Sequence, residues 1–224
     1  MVSVGRVWPR PEHRGRPLNL IVSLHMDAAY LRTDHWSDAV FSLDSSVQFS
    51  RFVESDAAWW KWLLVSVHAT VQGFMVLALE RGNSLAVMKP HIAKAWLEAY
   101  EKGTPFPDEK MDFFLELYRK VKVTNEPGYC GSRPFRPGTA HDESMRKLND
   151  MRNEFIHFMP QGWSLYLASL PTIAGDCVEV AEFLALESGQ VLWHDDALSD
   201  RAKNAFKSLR AQLEHLREKY ASEG

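Results

Sequence analysis

Residues 59–79 are apolar over a length that would cross a bilayer, with Trp59, Trp60 and Trp62 leading into an aliphatic run that ends at Leu79. About 20 such residues on a helix cover a hydrocarbon core. Lys61, His68 and Gln72 interrupt the run, and Ser66 and Thr70 add hydroxyls. A fully buried central helix of a bundle has the same character, and that is the preferred reading. A helix apolar on nearly every side must be surrounded by others, so the rest of the chain is expected to supply them.

Punctuation along the sequence marks where those neighbours begin and end. Ser37 or Asp38 can cap a helix reaching about residue 54, with Val40, Leu43, Val47 and Phe52 facing inward. Asp56 can cap the long apolar helix, which should stop before Gly82. Pro90 suits the first turn of a third helix that ends at Lys102 before Gly103. A fourth is expected after Pro107 and Asp108, carrying Met111, Phe114, Leu115, Tyr118 and Val121. Residues 123–140 hold Pro127, Gly128, Gly131, Pro134, Pro137 and Gly138 and read as a loop. Helices are then expected over residues 142–158, 172–186 and 197–219, the first ending ahead of Pro160. The expected architecture is an all-α bundle of about five to seven helices. It divides into a flexible basic arm over residues 1–19, a bundle over 20–190, and a C-terminal amphipathic segment over 191–224 packed on the bundle or on a partner. Within the bundle region, residues 20–36 fit either a short strand or a helix start.

Composition narrows the functional classes. Hydrophobic residues make up 46% of the 224, with eight tryptophans, which is ample for a core. A net charge of −3 excludes a uniformly basic surface, so any nucleic-acid contact must be local. Cys130 and Cys177 stand alone without metal spacing, and residues 1–17 lack a small-residue cleavage site, so a cytoplasmic protein outside the membrane is expected. There is no phosphate-binding glycine loop, GxSxG or HExxH, and no metal or cofactor is expected. His194-Asp195-Asp196 reads as a helix start, His141-Asp142 as a cap, and His68 as a hydrogen-bonded core histidine. Basic residues that could meet phosphates are Arg6, Arg10, Arg14 and Arg16 in the arm, then Lys120, Lys122, Arg133 and Arg136 before the 142–158 helix.

That helix carries the most pointed feature. At 100° per residue, Met145, Leu148, Phe155, Ile156 and Met159 form one apolar stripe with Arg152 in its middle. Asn149, Asn153 and His157 follow at i, i+4 and i+8 along its edge. An arginine on a core-facing stripe is costly to desolvate unless it is paired. A structural explanation would pair Arg152 with a carboxylate of a neighbouring helix and leave His157 to cap the helix end.

The run Arg152-Asn153-Glu154-Phe155-Ile156-His157 resembles the signature of the HEPN superfamily, an Arg followed by a polar residue and, four to six residues on, a His. The resemblance implies a helical bundle, usually homodimeric through the motif helix. It also implies metal-independent RNA cleavage of the kind found in toxin–antitoxin and defence systems, with an antitoxin or regulatory protein as a further partner. On that basis Arg152, His157 and Asn153 are the expected catalytic residues, and Arg133, Arg136 and Asn149 the expected substrate contacts. Arg and His at i, i+5 point about 140° apart on a helix, so a two-fold mate would have to complete the site. The competing reading is a non-catalytic helical module that binds a protein or nucleotide, with the motif in a structural role.

Overall fold

Short acceptor side chains and proline set the helix starts. Asp34 accepts the Ser37 amide at 2.7 Å and opens α1, His35–Phe52. Asp56 accepts the Ala58 amide at 2.8 Å, and one 3₁₀ turn then runs into α2, Trp60–Leu79. Pro90 begins α3, Pro90–Lys102, and Gly103 ends it at a φ of 62°, a left-handed value glycine adopts without strain. The remaining helices are α4 (Phe114–Lys122), α5 (Thr139–Ile156), α6 (Leu170–Glu182) and α7 (Asp196–Ser222). These elements come from a computed structural model that describes Leu31, residues 33–80, 82–123 and 132–157, Pro160 and residues 162–222. Among the described residues there is no strand, only an isolated antiparallel bridge between Met88 and Met111. The protein is an all-α bundle. The expected basic arm over residues 1–19, the ambiguous stretch up to residue 30, and Cys130 lie outside the described residues.

Several boundaries differ from the sequence expectation for identifiable reasons. Phe52 was expected inside but sits exposed at the end of α1, against Trp59. α4 starts at Phe114, not directly after Asp108. The Lys89 amide bonds Lys110 O at 3.0 Å and the Asp112 amide bonds Val87 O at 2.9 Å, which holds Met111 in extended backbone outside the helix. α6 is followed by a single π turn, Phe183–Glu187, closed by the Ser188 amide on Phe183 O at 2.8 Å. α5 begins three residues before Asp142 and ends at Ile156, one residue short of His157; Phe158 and Met159 lie outside the described residues.

α2 is the axis of the bundle. It has the length and hydropathy of a membrane span, yet most of it is buried among α1, α4, α5 and α6. Its polar side chains are placed accordingly. Ser66 Oγ lies 3.0 Å from Ser46 Oγ of α1, and Ser66 and Thr70 donate back to Leu63 O and Ser66 O, so the hydroxyls buried at this seam are satisfied. α7 runs antiparallel to α2. Phe206 meets Phe74 with ring centres 5.3 Å apart, and fourteen residues further along each helix, in opposite senses, Trp60 Nε1 donates to Tyr220 Oη at 3.1 Å. The C-terminal segment therefore packs on its own bundle through Ala205, Leu209, Leu213 and Leu216, the face expected from the sequence.

The α1–α2 seam depends on one missing side chain. A Cβ built on Gly73 would lie 2.8 Å from Ala39 Cβ and 3.1 Å from its Cα. Gly175, inside α6, has nothing within 4 Å of the same position. Replacing a mid-helix glycine with alanine normally stabilises by about 1 kcal/mol, whereas overpacking a core costs about 1–3 kcal/mol. Gly175→Ala should therefore raise the urea midpoint and Gly73→Ala should lower it. Equal shifts in the two variants would mean that α1 and α2 do not approach this closely.

Candidate functional site

Observed burial on α5 shifts the phase of its apolar stripe. Ser144, Met145, Leu148 and Met151 are buried, Phe155 is partly buried against Trp163, and Ile156 is 46% exposed. At 100° per residue this stripe is centred roughly 40° away from the expected one, which included Ile156 and Met159. Arg152 consequently lies on the flank of the stripe, half-buried, rather than in its middle. Asn149 and Asn153 occupy the same flank.

Those three side chains line a groove of about 500 Å³ between α2, α4 and α5, together with His68 and Gln72 of α2 and residues 111–115. Arg152 Nη1 donates to Asn153 Oδ1 at 3.0 Å. No carboxylate among the described residues is recorded within ion-pair distance of Arg152, so the carboxylate partner that a structural role calls for is not found among them. The carboxylate that borders the same groove, Asp112, is engaged by other donors. Lys120 Nζ stands 2.8 Å from it and the Phe113 amide donates to Oδ1 at 3.0 Å. Burial works to raise the Asp112 pKa, but these donors prevail and hold the carboxyl below its ordinary range. Lys120 is also committed, donating to Met88 O at 2.8 Å and Ala86 O at 3.1 Å, so it is no phosphate contact. Lys122 is likewise held, 2.8 Å from Asp142.

His68 is the residue that sequence reasoning missed. It is buried as expected, at 4% exposure, and its ring stacks on Phe114 with centres 4.0 Å apart. Yet Nε2 has no hydrogen-bond partner among the described residues, contrary to the expectation of a satisfied core histidine. The reason is angular. Ser66 and Thr70 turn to α1 and satisfy one another there, while His68 and Gln72, at i and i+4, lie roughly on the opposite side of α2. Burial pushes the imidazole pKa down to about 4, and the Arg152 charge pushes it the same way, against a smaller opposing effect of the Asn149 amide. His68 is therefore neutral near pH 7. The i, i+4 pair on an otherwise apolar helix was the available signal.

The other expected site residues lie elsewhere. His157 is the exposed C-terminal cap of α5; its amide bonds Asn153 O at 2.8 Å and its imidazole does not border the groove. Arg133 and Arg136 flank a different recess, with Phe135, Glu179 and Phe183. Arg133 is tied down there, its amide on Ser188 O at 2.7 Å and its guanidinium on Glu187 O at 3.0 Å. Single acceptors account for the remaining polar clusters. His141 Nδ1 accepts the Gly138 amide at 3.2 Å, and Asp195 accepts the Ala197 amide at 2.8 Å to start α7. No group of His, Cys, Asp and Glu among the described residues is placed to hold a metal ion.

The depressed His68 pKa makes a stability prediction. An unfolded chain takes up this proton near pH 6.5 and the folded one only near 4, so acid favours unfolding across that window. Stability should be level above about pH 6.5 and fall by up to about 3 kcal/mol toward pH 4 from this group. Urea midpoints measured against pH should show the slope in the wild type and a flatter curve in His68→Gln. A wild-type curve with no slope in that interval would place His68 in a wetter setting than the one described.

Comparisons with protein-family models, with curated proteins and with solved structures give no match.

Proposed function

We propose that the chain is a HEPN-like endoribonuclease that cleaves RNA without a metal and works as a homodimer built on α5. The observation that carries this reading is Arg152, a half-buried guanidinium on an open groove with no carboxylate among the described residues paired to it. A cation kept in that state costs free energy that a bound anion offsets, and a forked guanidinium matches phosphate oxygens. Asn153 holds Arg152 in place through its 3.0 Å contact, and Asn149 adds an amide to the same wall. Further support comes from the Arg-Asn-x-x-x-His run itself and from its setting on a helix of an all-α bundle.

The chemistry follows from the groups. A base takes the proton of a ribose 2′-OH, the oxygen attacks the adjacent phosphorus, and the 5′-oxygen leaves with a proton from an acid. The products are a 2′,3′-cyclic phosphate and a free 5′-hydroxyl. His157, at the C-terminal end of α5, carries an imidazole, a group suited to both proton transfers. Arg152 suits the charge on the pentacoordinate phosphorus. Both cannot face one phosphate from a single helix, so the proposal includes a second copy that presents its own motif across a two-fold axis. A cytoplasmic setting and an antitoxin or regulatory partner belong to the same proposal. One observation favours the alternative, a non-catalytic helical binding module: His157 stands outside the groove that Arg152 lines.

RNA cleavage measured in EDTA separates them. The wild type should release cyclic-phosphate ends, and His157→Ala and Arg152→Ala should each lose about 10²-fold or more in rate while remaining folded. Light scattering should give a dimer at micromolar concentration. Intact RNA with the wild type would leave the binding module as the function, and a monomer with full activity would overturn the two-fold site.

A further inference from the structure

Beside Arg152 the groove holds two features that the motif does not include. The first is His68, only 4% exposed, whose Nε2 has no hydrogen-bond partner among the described residues. The second is the start of α4. Its N-cap residue is Phe113, which offers no side-chain acceptor, so the first-turn amides of Phe114 and Leu115 have no intrahelical partner. Residues 113–115 border the same groove as His68 and Arg152. Uncapped first-turn amides and the positive end of the helix dipole favour an anion.

We propose that His68 Nε2–H, the Arg152 guanidinium and the first-turn amides of α4 form one seat for a phosphate group, with His68 as a neutral donor to the bound oxyanion. The seat rests on the nuclease reading only in taking Arg152 as the phosphate contact, and its ligand is the RNA backbone phosphate. Within a single chain, His68 and not His157 is the imidazole that shares a groove with Arg152. The local charge is right for an anion. Arg152 has no ion-pair partner among the described residues, Asp112 is balanced by Lys120, and Glu116 in the first turn of α4 is paired with Arg119 at 2.8 Å. A buried neutral imidazole donates through one nitrogen, and an anion in the groove selects the Nε2–H tautomer. Asn149 and Asn153 supply amides on the α5 wall, and the exposed Phe113 ring flanks the opening.

The test uses the full chain, labelled with ¹⁵N, and inorganic phosphate titrated against chloride at matched ionic strength. The His68 ring nitrogens should shift saturably with phosphate and not with chloride. The His68 titration midpoint should rise from about 4, because phosphate screens Arg152 and accepts from Nε2–H. Arg152→Met should abolish the shift. His68→Phe should weaken phosphate binding by about tenfold or more, the loss expected for one hydrogen bond to a charged group. His68→Gln, which retains an N–H donor on the same helix, should restore most of it even if His68→Phe fails to fold. His68 signals that respond equally to phosphate and chloride would overturn the seat and leave a bound water as the Nε2 partner. A wild type that cleaves RNA while His68 ignores phosphate removes the seat and keeps the nuclease. A wild type that binds phosphate at His68 and leaves RNA intact keeps the seat and removes the nuclease.

Discussion

A helix buried along most of its length must place every polar side chain against something that satisfies it, and α2 organises the molecule through that requirement. On the α1 side the solution is local: Ser66, Thr70 and Ser46 satisfy one another or nearby carbonyls, and Gly73 lets Ala39 close the seam. On the α4–α5 side the requirement is left open at His68, whose Nε2 is buried without a hydrogen-bond partner among the described residues. Both polar sides belong to one helix and differ only in what the neighbouring helix brings. An unsatisfied buried polar group costs about 1–3 kcal/mol. Its persistence beside an uncompensated arginine is the energetic reason to look for a ligand there.

Much of the fold was legible because it rests on local rules. Asp56, Pro90 and Gly103 fix helix ends through cap and turn chemistry that depends on adjacent residues alone. The face of α7 that packs inward repeats at helical spacing over many turns, and its period survives small errors of phase. Misreadings arose where a distant contact overrode the local signal. Met111 continues the apolar pattern of α4, but the Val87–Asp112 and Lys89–Lys110 hydrogen bonds hold it in extended backbone. On α5 the stripe was phased on Ile156 and Met159, residues near the helix end, whereas packing at Ser144 and Met151 sets the true phase.

The candidate site divides in the same way. Arg152, Asn149 and Asn153 share one flank of one helix, so spacing alone could bring them together. His68 and Asp112 reach the groove from other elements more than thirty residues away in the chain; the His68–Gln72 pair marks a polar side of α2, but nothing local says which helix it meets. His157 shows the converse. Sequence proximity to Arg152 implied a common task, yet helical geometry sends it to a different side, and only a second chain could reunite the two. Arg133, chosen because it precedes the motif helix, is drawn instead toward Glu187 and Phe183 of the π turn that follows α6, and Arg136 borders the same recess.

The state of Arg152 decides among these possibilities most directly, and its contribution to folding can be measured. Met is apolar, of similar length, and favourable in a helix. If Arg152 is an uncompensated cation held for a ligand, Arg152→Met should leave the urea midpoint of the ligand-free protein unchanged or raise it, since a half-buried charge is removed and no ion pair is broken. A loss of about 3 kcal/mol or more would mark Arg152 as one half of a buried ion pair and a structural strut of the bundle, and would contradict a ligand-binding role.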